Sequence, residues 1–222
     1  ESNGSVALGH RRLSIVDLSL NGAQPMTSHS GRFVIAFNGE IYNHRQLRER
    51  LIKEHKVKEF RGSSDTEVLL ELFETYGVKE GISMCKGMFA IALYDRQEKT
   101  ISLLRDRVGE KPLYYGWVNN SFVFASDIGC IAALDGFNNE LNKKVLPIYF
   151  IHGYIPAPYS VYQNIFKLEP GTILTIKKPY QDFSIETYWS MKEIAGQGEK
   201  NQFKGSEEEA TEELERLLKE AI

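Results

Sequence analysis

The sequence holds only two cysteines, Cys85 and Cys130, far apart and with no partner His or Cys at zinc-binding spacing. That excludes a disulfide framework and gives no metal site, and the five scattered histidines do not change this. Both stand in apolar surroundings, Ser83-Met84-Cys85 and Gly129-Cys130-Ile131, so each is expected to be an inert core residue. Positive charge is not in surplus either. Against 30 acidic residues there are 27 basic ones, a net charge of −3, and no Lys/Arg run is interleaved with aromatics. Nucleic acid is therefore not an expected partner. No apolar stretch reaches membrane-span length, and no basic segment followed by an apolar one opens the chain, so neither a membrane partner nor a signal peptide is expected. The expected location is the cytoplasm.

What is present can build a substantial core: 222 residues, 42% hydrophobic and 26% charged, enough for one large domain or two small ones. The middle of the chain alternates apolar runs with short polar turns, which predicts hairpins and hence antiparallel sheet. Met88-to-Asp95 turns through Arg96-Gln97-Glu98-Lys99 into Thr100-to-Arg105, and Pro112-to-Val118 turns through Asn119-Asn120 into Ser121-to-Ala125. Runs such as Phe89-Ala90-Ile91-Ala92-Leu93-Tyr94 are apolar at nearly every position, so both strand faces should be covered and a layered sandwich is expected. Two helices interrupt the strands. Ser64-Asp65-Thr66-Glu67 has capping-box spacing ahead of the stripe Val68, Leu69, Leu72, Phe73 and Tyr76, which Gly77 ends. A second helix is predicted from about Asn43 to His55, with Leu47 and Leu51 inward. Strands with a helical pair outside strict βαβ alternation give an α+β class.

Composition shifts near Gln181. Residues 1–180 read as the globular domain, 181–205 as a polar linker containing Gly196-Gln197-Gly198-Glu199-Lys200, and 206–222 as the start of a further helix. Ser206-Glu207-Glu208-Glu209 caps that helix, and Ala210, Leu214, Leu217, Leu218 and Ile222 stripe it. Such a stripe must be covered, either by its own domain or by a second domain that begins here.

The most chemical content lies in Asn38-Gly39-Glu40-Ile41-Tyr42-Asn43, directly after the apolar run Phe33-Val34-Ile35-Ala36-Phe37. A strand that delivers an Asn amide and a Gly N–H to its own end presents two donors at one point, as an oxyanion hole requires. A plain Asn-Gly turn is the alternative, but Glu40-Ile41-Tyr42-Asn43 leads into a helix instead of a second strand. The chain opens Glu1-Ser2-Asn3-Gly4, with no nucleophile at its N-terminus.

Four ordered segments, spread from about Ser5 to Thr175, together resemble the glutaminase domain of class II glutamine amidotransferases, most closely that of glutamine-dependent asparagine synthetases. They are Gly9-His10-Arg11-Arg12-Leu13-Ser14-Ile15-Val16-Asp17, Asn38-to-Asn43, Gly62-Ser63-Ser64-Asp65-Thr66-Glu67, and Lys86-Gly87-Met88-Phe89-Ala90 continuing to Asp106-Arg107-Val108-Gly109-Glu110-Lys111-Pro112-Leu113-Tyr114-Tyr115. The resemblance implies a four-layer αββα sandwich of antiparallel sheets, of the N-terminal nucleophile hydrolase type, here without its first strand. It also implies free glutamine as substrate. Arg12 would hold the glutamine α-carboxylate, a match of guanidinium and carboxylate geometry; Leu13, Ser14, Ile15 and Val16 would line the same pocket. Asp65 would pair with the α-ammonium, although a first-turn Asp also favours a helix dipole. Asn38 and Gly39 would form the oxyanion hole, and Glu40 belongs to the same glutamine-contacting segment.

In that family the nucleophile is an N-terminal Cys whose own α-amino group acts as base. The sequence has none at that place, so it reads as a piece lacking the nucleophile. The family continues into a synthetase domain that uses ATP and Mg²⁺, and its Ser-Gly-Gly loop does not occur here, so no cofactor is expected in this chain. The expected partners are glutamine and that C-terminal synthetase domain; a homodimer is allowed. Ser126-Asp127-Ile128-Gly129 departs from the family's more frequent Ser-Glu followed by Lys, near the expected interdomain surface. Two further readings stand beside this one: an amidotransferase with an acceptor other than aspartate, and a nucleophile-less amino-acid-binding or interaction domain. A chain that starts at Glu1 is expected to release no glutamate from glutamine above a heat-killed control, and measurable release would overturn the assignment of the nucleophile to an N-terminal cysteine.

Overall fold

The structure is a computed structural model that describes residues 6–11, 17, 19–138, 140–177 and 182–221, in two compact units, Glu1–Trp189 and Ser190–Ile222. In the first unit the order is β1 (Met26–Thr27), β2 (Phe33–Ile41), α1 (His44–Lys53), α2 (Asp65–Tyr76), α3 (Val78–Ser83), β3 (Gly87–Asp95), β4 (Thr100–Arg105), β5 (Tyr114–Val118), β6 (Ser121–Ala125), α4 (Ile128–Ala132), α5 (Leu146–His152), β7 (Ile165–Lys167), β8 (Thr172–Lys177) and β9 (Phe183–Thr187). The strands form two antiparallel sheets with orders β1-β2-β3-β4-β8-β9 and β6-β5-β7.

Parity along β2 and β3 sorts the layers, because successive side chains in a strand point to opposite faces. Phe33, Ile35, Phe37 and Ile41, with Phe89, Ile91 and Leu93 of β3, pack on Leu47 and Leu51 of α1, Leu69 and Phe73 of α2 and Ile82 of α3. Val34, Ala36, Ala90, Ala92 and Tyr94 point the other way, onto Tyr115, Trp117, Phe122 and Phe124 of the second sheet. A third cluster, Val118, Ile131 and Ile165, covers the far side of that sheet with α4. The result is the expected αββα sandwich, and it explains why β3 is apolar at both parities.

The two hairpin turns fall where the sequence puts them, with Asn119 and Asn120 both at positive φ (48° and 63°), as a tight two-residue turn requires. In the β2–β3 pair, glycine is needed at two places. A Cβ on Gly39 would lie 2.1 Å from the Met88 carbonyl oxygen, and one on Gly87 would lie 2.1 Å from that of Glu40. The Lys86-Gly87-Met88 and Asn38-Gly39 motifs are thus two halves of one close backbone approach.

Some elements differ from expectation. The expected linker over 181–205 contains β9, whose residues pair with β8 from Thr172↔Thr187 to Ile176↔Phe183, and the domain therefore runs to Trp189 and not to 180. All five residues of β9 are exposed, and ladder pairing with β8 holds the short alternation Phe183-Ser184-Ile185-Glu186-Thr187 as an edge strand. Within the second unit, Met191–Lys200 is helix α6, where Ser190 caps Glu193 N–H at 3.4 Å despite Gly196 and Gly198. Helix α7 (Glu207–Ala221) has the full reciprocal box: Ser206 N–H to Glu209 Oε2 at 2.8 Å and Glu209 N–H to Ser206 Oγ at 3.2 Å. At α2 the box is only half made. Ser64 Oγ accepts from Thr66 N–H, but Glu67 turns to the preceding loop and accepts from the N–H groups of Arg61 (2.8 Å) and Gly62 (3.0 Å). Helix α3 is an additional turn and a half; six residues directly after Gly77 carry too short a pattern to read.

The loop after β4 is organised by one fully buried carboxylate. Asp106 is 0% exposed; its Oδ1 accepts from the N–H groups of Val108 (3.2 Å), Gly109 (2.6 Å) and Glu110 (2.9 Å), and its Oδ2 from those of Lys111 (2.9 Å) and Phe89 (3.2 Å). Arg105 closes the same loop, donating to the carbonyls of Lys111, Leu168 and Gly109. Asp106→Ala would strand several of these donors, at about 1–3 kcal/mol for each left unsatisfied. A loss of at least about 3 kcal/mol, a Tm drop of roughly 6–12 °C for a domain of this size, is the expected result of thermal unfolding; a drop under about 2 °C would show that the loop holds without it.

Candidate active site

The second half of β2 has an open edge. β1 pairs with it only at Ile35 and Val34, and no strand covers Ala36–Ile41 on that side among the described residues. Even-numbered residues turn their N–H groups toward β3, as Tyr42 N–H to Lys86 O shows, so Phe37, Gly39 and Ile41 turn theirs outward. Side chains occupy two of these three. Gln24 Oε1 takes Phe37 N–H at 2.6 Å, and Asp65 Oδ2 takes Ile41 N–H at 3.1 Å. Between them Gly39 is exposed.

Asn38, next to it, points to the opposite face and donates from Nδ2 to Ser126 Oγ at 3.1 Å. Its amide lines a cavity of about 440 Å³ between the sheets, with Gly9, Arg11, Ser126 and Asp127 at its polar side and Ala36, Ala90 and Ala92 as its floor. Three alanines leave the space that larger side chains would fill. Glu40 shares Asn38's side of the strand and is half-buried. The strand runs on through Glu40 to Ile41, so the Asn-Gly pair sits inside β2, two residues before its end.

Asp65 opens α2, 6% exposed. Burial raises its carboxyl above the usual carboxylate range, and the Ile41 N–H and the nearby His44 only partly oppose this. No Lys or Arg pairs with it among the described residues. Arg12, Leu13, Ser14, Ile15 and Val16 lie outside the described residues. Asp17, which follows them in sequence, is buried and tied to the loop before α2: Oδ2 accepts Ser63 N–H at 2.9 Å and Oδ1 accepts Ser19 Oγ at 2.6 Å. These bonds, the one from the Ser19 hydroxyl foremost, draw its carboxyl down to about 2. Asp17, Gln24 and Glu67 hold the backbone around β2 and the loop before α2, at Ser63, Phe37, Arg61 and Gly62, and none of them was singled out from the sequence. Asp17 and Glu67 stand within quoted motifs, but nothing in their spacing tells which backbone groups they reach.

The cysteines divide. Cys85 is 1% exposed, and burial pushes its thiol up to about 12, so it is the inert core residue expected. Cys130 is not: it is exposed on α4 and lines the same cavity as Asn38. A helix of five residues after the exposed Asp127 N-cap buries only Ile131, which its flanking Gly129 and Ile131 did not reveal.

Residues 1–189 match the model of the glutamine amidotransferase domain. The chain is 35% identical over 205 residues to a putative glutamine-hydrolysing asparagine synthetase 2 of Methanocaldococcus jannaschii, covering 85% of this chain and 39% of that protein. It is 38% identical over 184 residues to glutamine-hydrolysing asparagine synthetase 1 of Bacillus subtilis, covering 83% of this chain and 28% of the relative. It thus spans well under half the length of these relatives. Among solved structures, the glutamine phosphoribosylpyrophosphate amidotransferase of B. subtilis shares the fold, with a TM-score of 0.55 at 24% identity over 78% of this chain and 33% of that one. With an αββα sandwich and a match that runs through all of its first unit, the chain belongs to the glutamine amidotransferase domain family.

Proposed function

We propose that this domain binds free glutamine at the open edge of β2, hydrolyses its side-chain amide to glutamate, and supplies the ammonia to an ATP-dependent, asparagine-synthetase-like portion of a longer polypeptide in the cytoplasm. The observation that carries the reading is the run of outward N–H groups on β2. Two are occupied by side chains, and the residue between them, Gly39, is exposed and next in sequence to Asn38. An amide group has two N–H donors, so Asn38 can hold Ser126 with one and an oxyanion with the other. Ser126 would then fix its rotamer before substrate arrives, which is what a preorganised donor requires. Arg12 would take the α-carboxylate and Asp65 the α-ammonium, a pair of opposite charges that selects a free amino acid over a peptide. The attacking thiol is that of an N-terminal cysteine; Cys85 and Cys130 carry no α-amino group. The sequence has no Ser-Gly-Gly loop, and no step in this domain is routed through ATP or Mg²⁺.

Asp65 gives the most direct test. Burial raises its carboxyl, so Asp65→Asn should leave the ligand-free Tm at pH 7.5 equal or higher while abolishing the response to glutamine. For the unmutated chain, glutamine at about 100 times Kd should raise Tm by roughly 5–10 °C, and Arg12→Ala should remove that rise. No rise, or one that survives both substitutions, would sink the proposal.

The sign of the pH dependence follows from the same group. Binding needs ionised Asp65, so calorimetric affinity should fall as pH drops through its raised pKa, at higher pH than an ordinary aspartate would impose. An affinity flat down to pH 4 would rule out Asp65 as the ammonium partner. In the native gene product, Asn38→Ala should slow glutamate release by about 10²–10³, and a loss under about 5-fold would remove Asn38 from the oxyanion hole.

A further inference from the structure

Helix α5 is built from Leu146, Pro147, Ile148, Tyr149, Phe150 and Ile151 before His152, yet none of its residues is buried. Phe150 is 81% exposed, Ile151 75% and, after the Gly153 turn, Tyr154 60%; Leu146, Tyr149 and Tyr159 extend the same apolar surface. A domain gains nothing from an apolar helix that it does not cover, and a contiguous exposed patch of this kind marks an interaction site.

The surface is held rigid from beneath. Ser160, 2% exposed, donates its hydroxyl to the Ile165 carbonyl at 2.6 Å, Lys167 N–H reaches the Pro158 carbonyl at 2.9 Å, and Lys167 Nζ the Ile155 carbonyl at 2.5 Å. Between Tyr149, Ile155 and Lys167 a cavity of about 160 Å³ opens, a socket for one inserted side chain. Anchors around a preformed socket are the arrangement that carries binding energy in interfaces.

We infer that α5 and the loop to Tyr159 form the docking face for the portion of polypeptide that the relatives carry beyond the matched residues. This rests on the amidotransferase reading above. Two observations choose that occupant. The relatives match 85% and 83% of this chain with only 39% and 28% of their own length, so most of each relative lies outside the match and the patch lies inside it. From Lys143 to Ser160 there is no acidic residue, and the charges are those of Lys143 and Lys144. The opposing surface is therefore apolar, inserts one large side chain into the socket, and carries carboxylates at the edge facing the two lysines.

The test compares backbone amide exchange over residues 146–159 in the native gene product and in the 222-residue chain. Exchange at least 10-fold slower in the native product, at every protein concentration, is expected. Phe150→Asp with Ile151→Asp should abolish that protection and uncouple amide transfer from glutamine hydrolysis, leaving the Tm of the 222-residue chain within about 2 °C and glutamate release within about 2-fold. Equal exchange in the two proteins overturns the inference, as does protection that appears in the 222-residue chain as its concentration rises, which would make the occupant a second copy. A protected patch in a native product that does not hydrolyse glutamine would instead overturn the amidotransferase reading and leave the docking face standing.

Discussion

The register of β2 against β3 is the constraint on which the rest depends. It runs from Phe33↔Asp95 to Ile41↔Gly87 without a break, and a slip by one residue would turn every side chain of β2 to the wrong layer. Phe33, Ile35 and Phe37 would then face the second sheet, where Ala90 and Ala92 now leave the cavity open. The outward N–H groups would belong to Asn38 and Glu40, and Gly39 would be committed to β3. The ends of the register are fixed by different means. At one end Arg32 holds Asp95 with Nε and Nη2 at 3.0 and 2.7 Å; at the other, Gly39 and Gly87 permit a backbone contact that no side chain tolerates. The second constraint fixes Gly39 at its place on the strand, the position that the proposed oxyanion hole uses.

The layers and most strands were legible because two periodicities wrote them. Alternation with an apolar second parity marked β3, paired asparagines marked the β5–β6 turn, and a 3.6-residue stripe between Ser64 and Gly77 marked α2. What was not legible has one physical character in common. The strand β9 has no fully buried residue and is held by backbone pairing and the Phe183 ring on Tyr115 and Trp117, and Glu67 satisfies backbone donors that spacing cannot identify. Cys130 fails for the complementary reason: its neighbours describe composition, while exposure depends on which way a five-residue helix faces. At the candidate site, the motif residues Asn38, Gly39 and Asp65 were legible by type. That Gln24 and Asp65 bracket Gly39 on one strand edge was not, since it depends on contacts 13 and 24 residues apart in sequence.

Three of the buried carboxylates, Asp106, Asp17 and Asp65, are supplied with donors to different degrees. Asp106 is surrounded by backbone N–H groups from its own loop and from Phe89. Asp17 is drawn down to about 2 by hydrogen bonds, first from the Ser19 hydroxyl. Its folded pKa lies below the unfolded value, so it stabilises the native state above about pH 4 and loses that contribution as pH falls toward 2. Asp65 has the reverse sign. Burial raises its pKa, so ionising it costs stability, and the cost grows as pH rises through that value. A cation reaching the Asp65 carboxylate would offset that desolvation, which is the physical basis of the ammonium role proposed above. On the β2 edge that Asp65 reaches through Ile41, Gly39 is exposed between two residues whose N–H groups side chains already take. The proposed glutamine site draws on both features: a carboxylate on α2 that burial disfavours as an anion, and a strand residue, two positions before Ile41, that stays exposed while side chains take the N–H groups of Phe37 and Ile41.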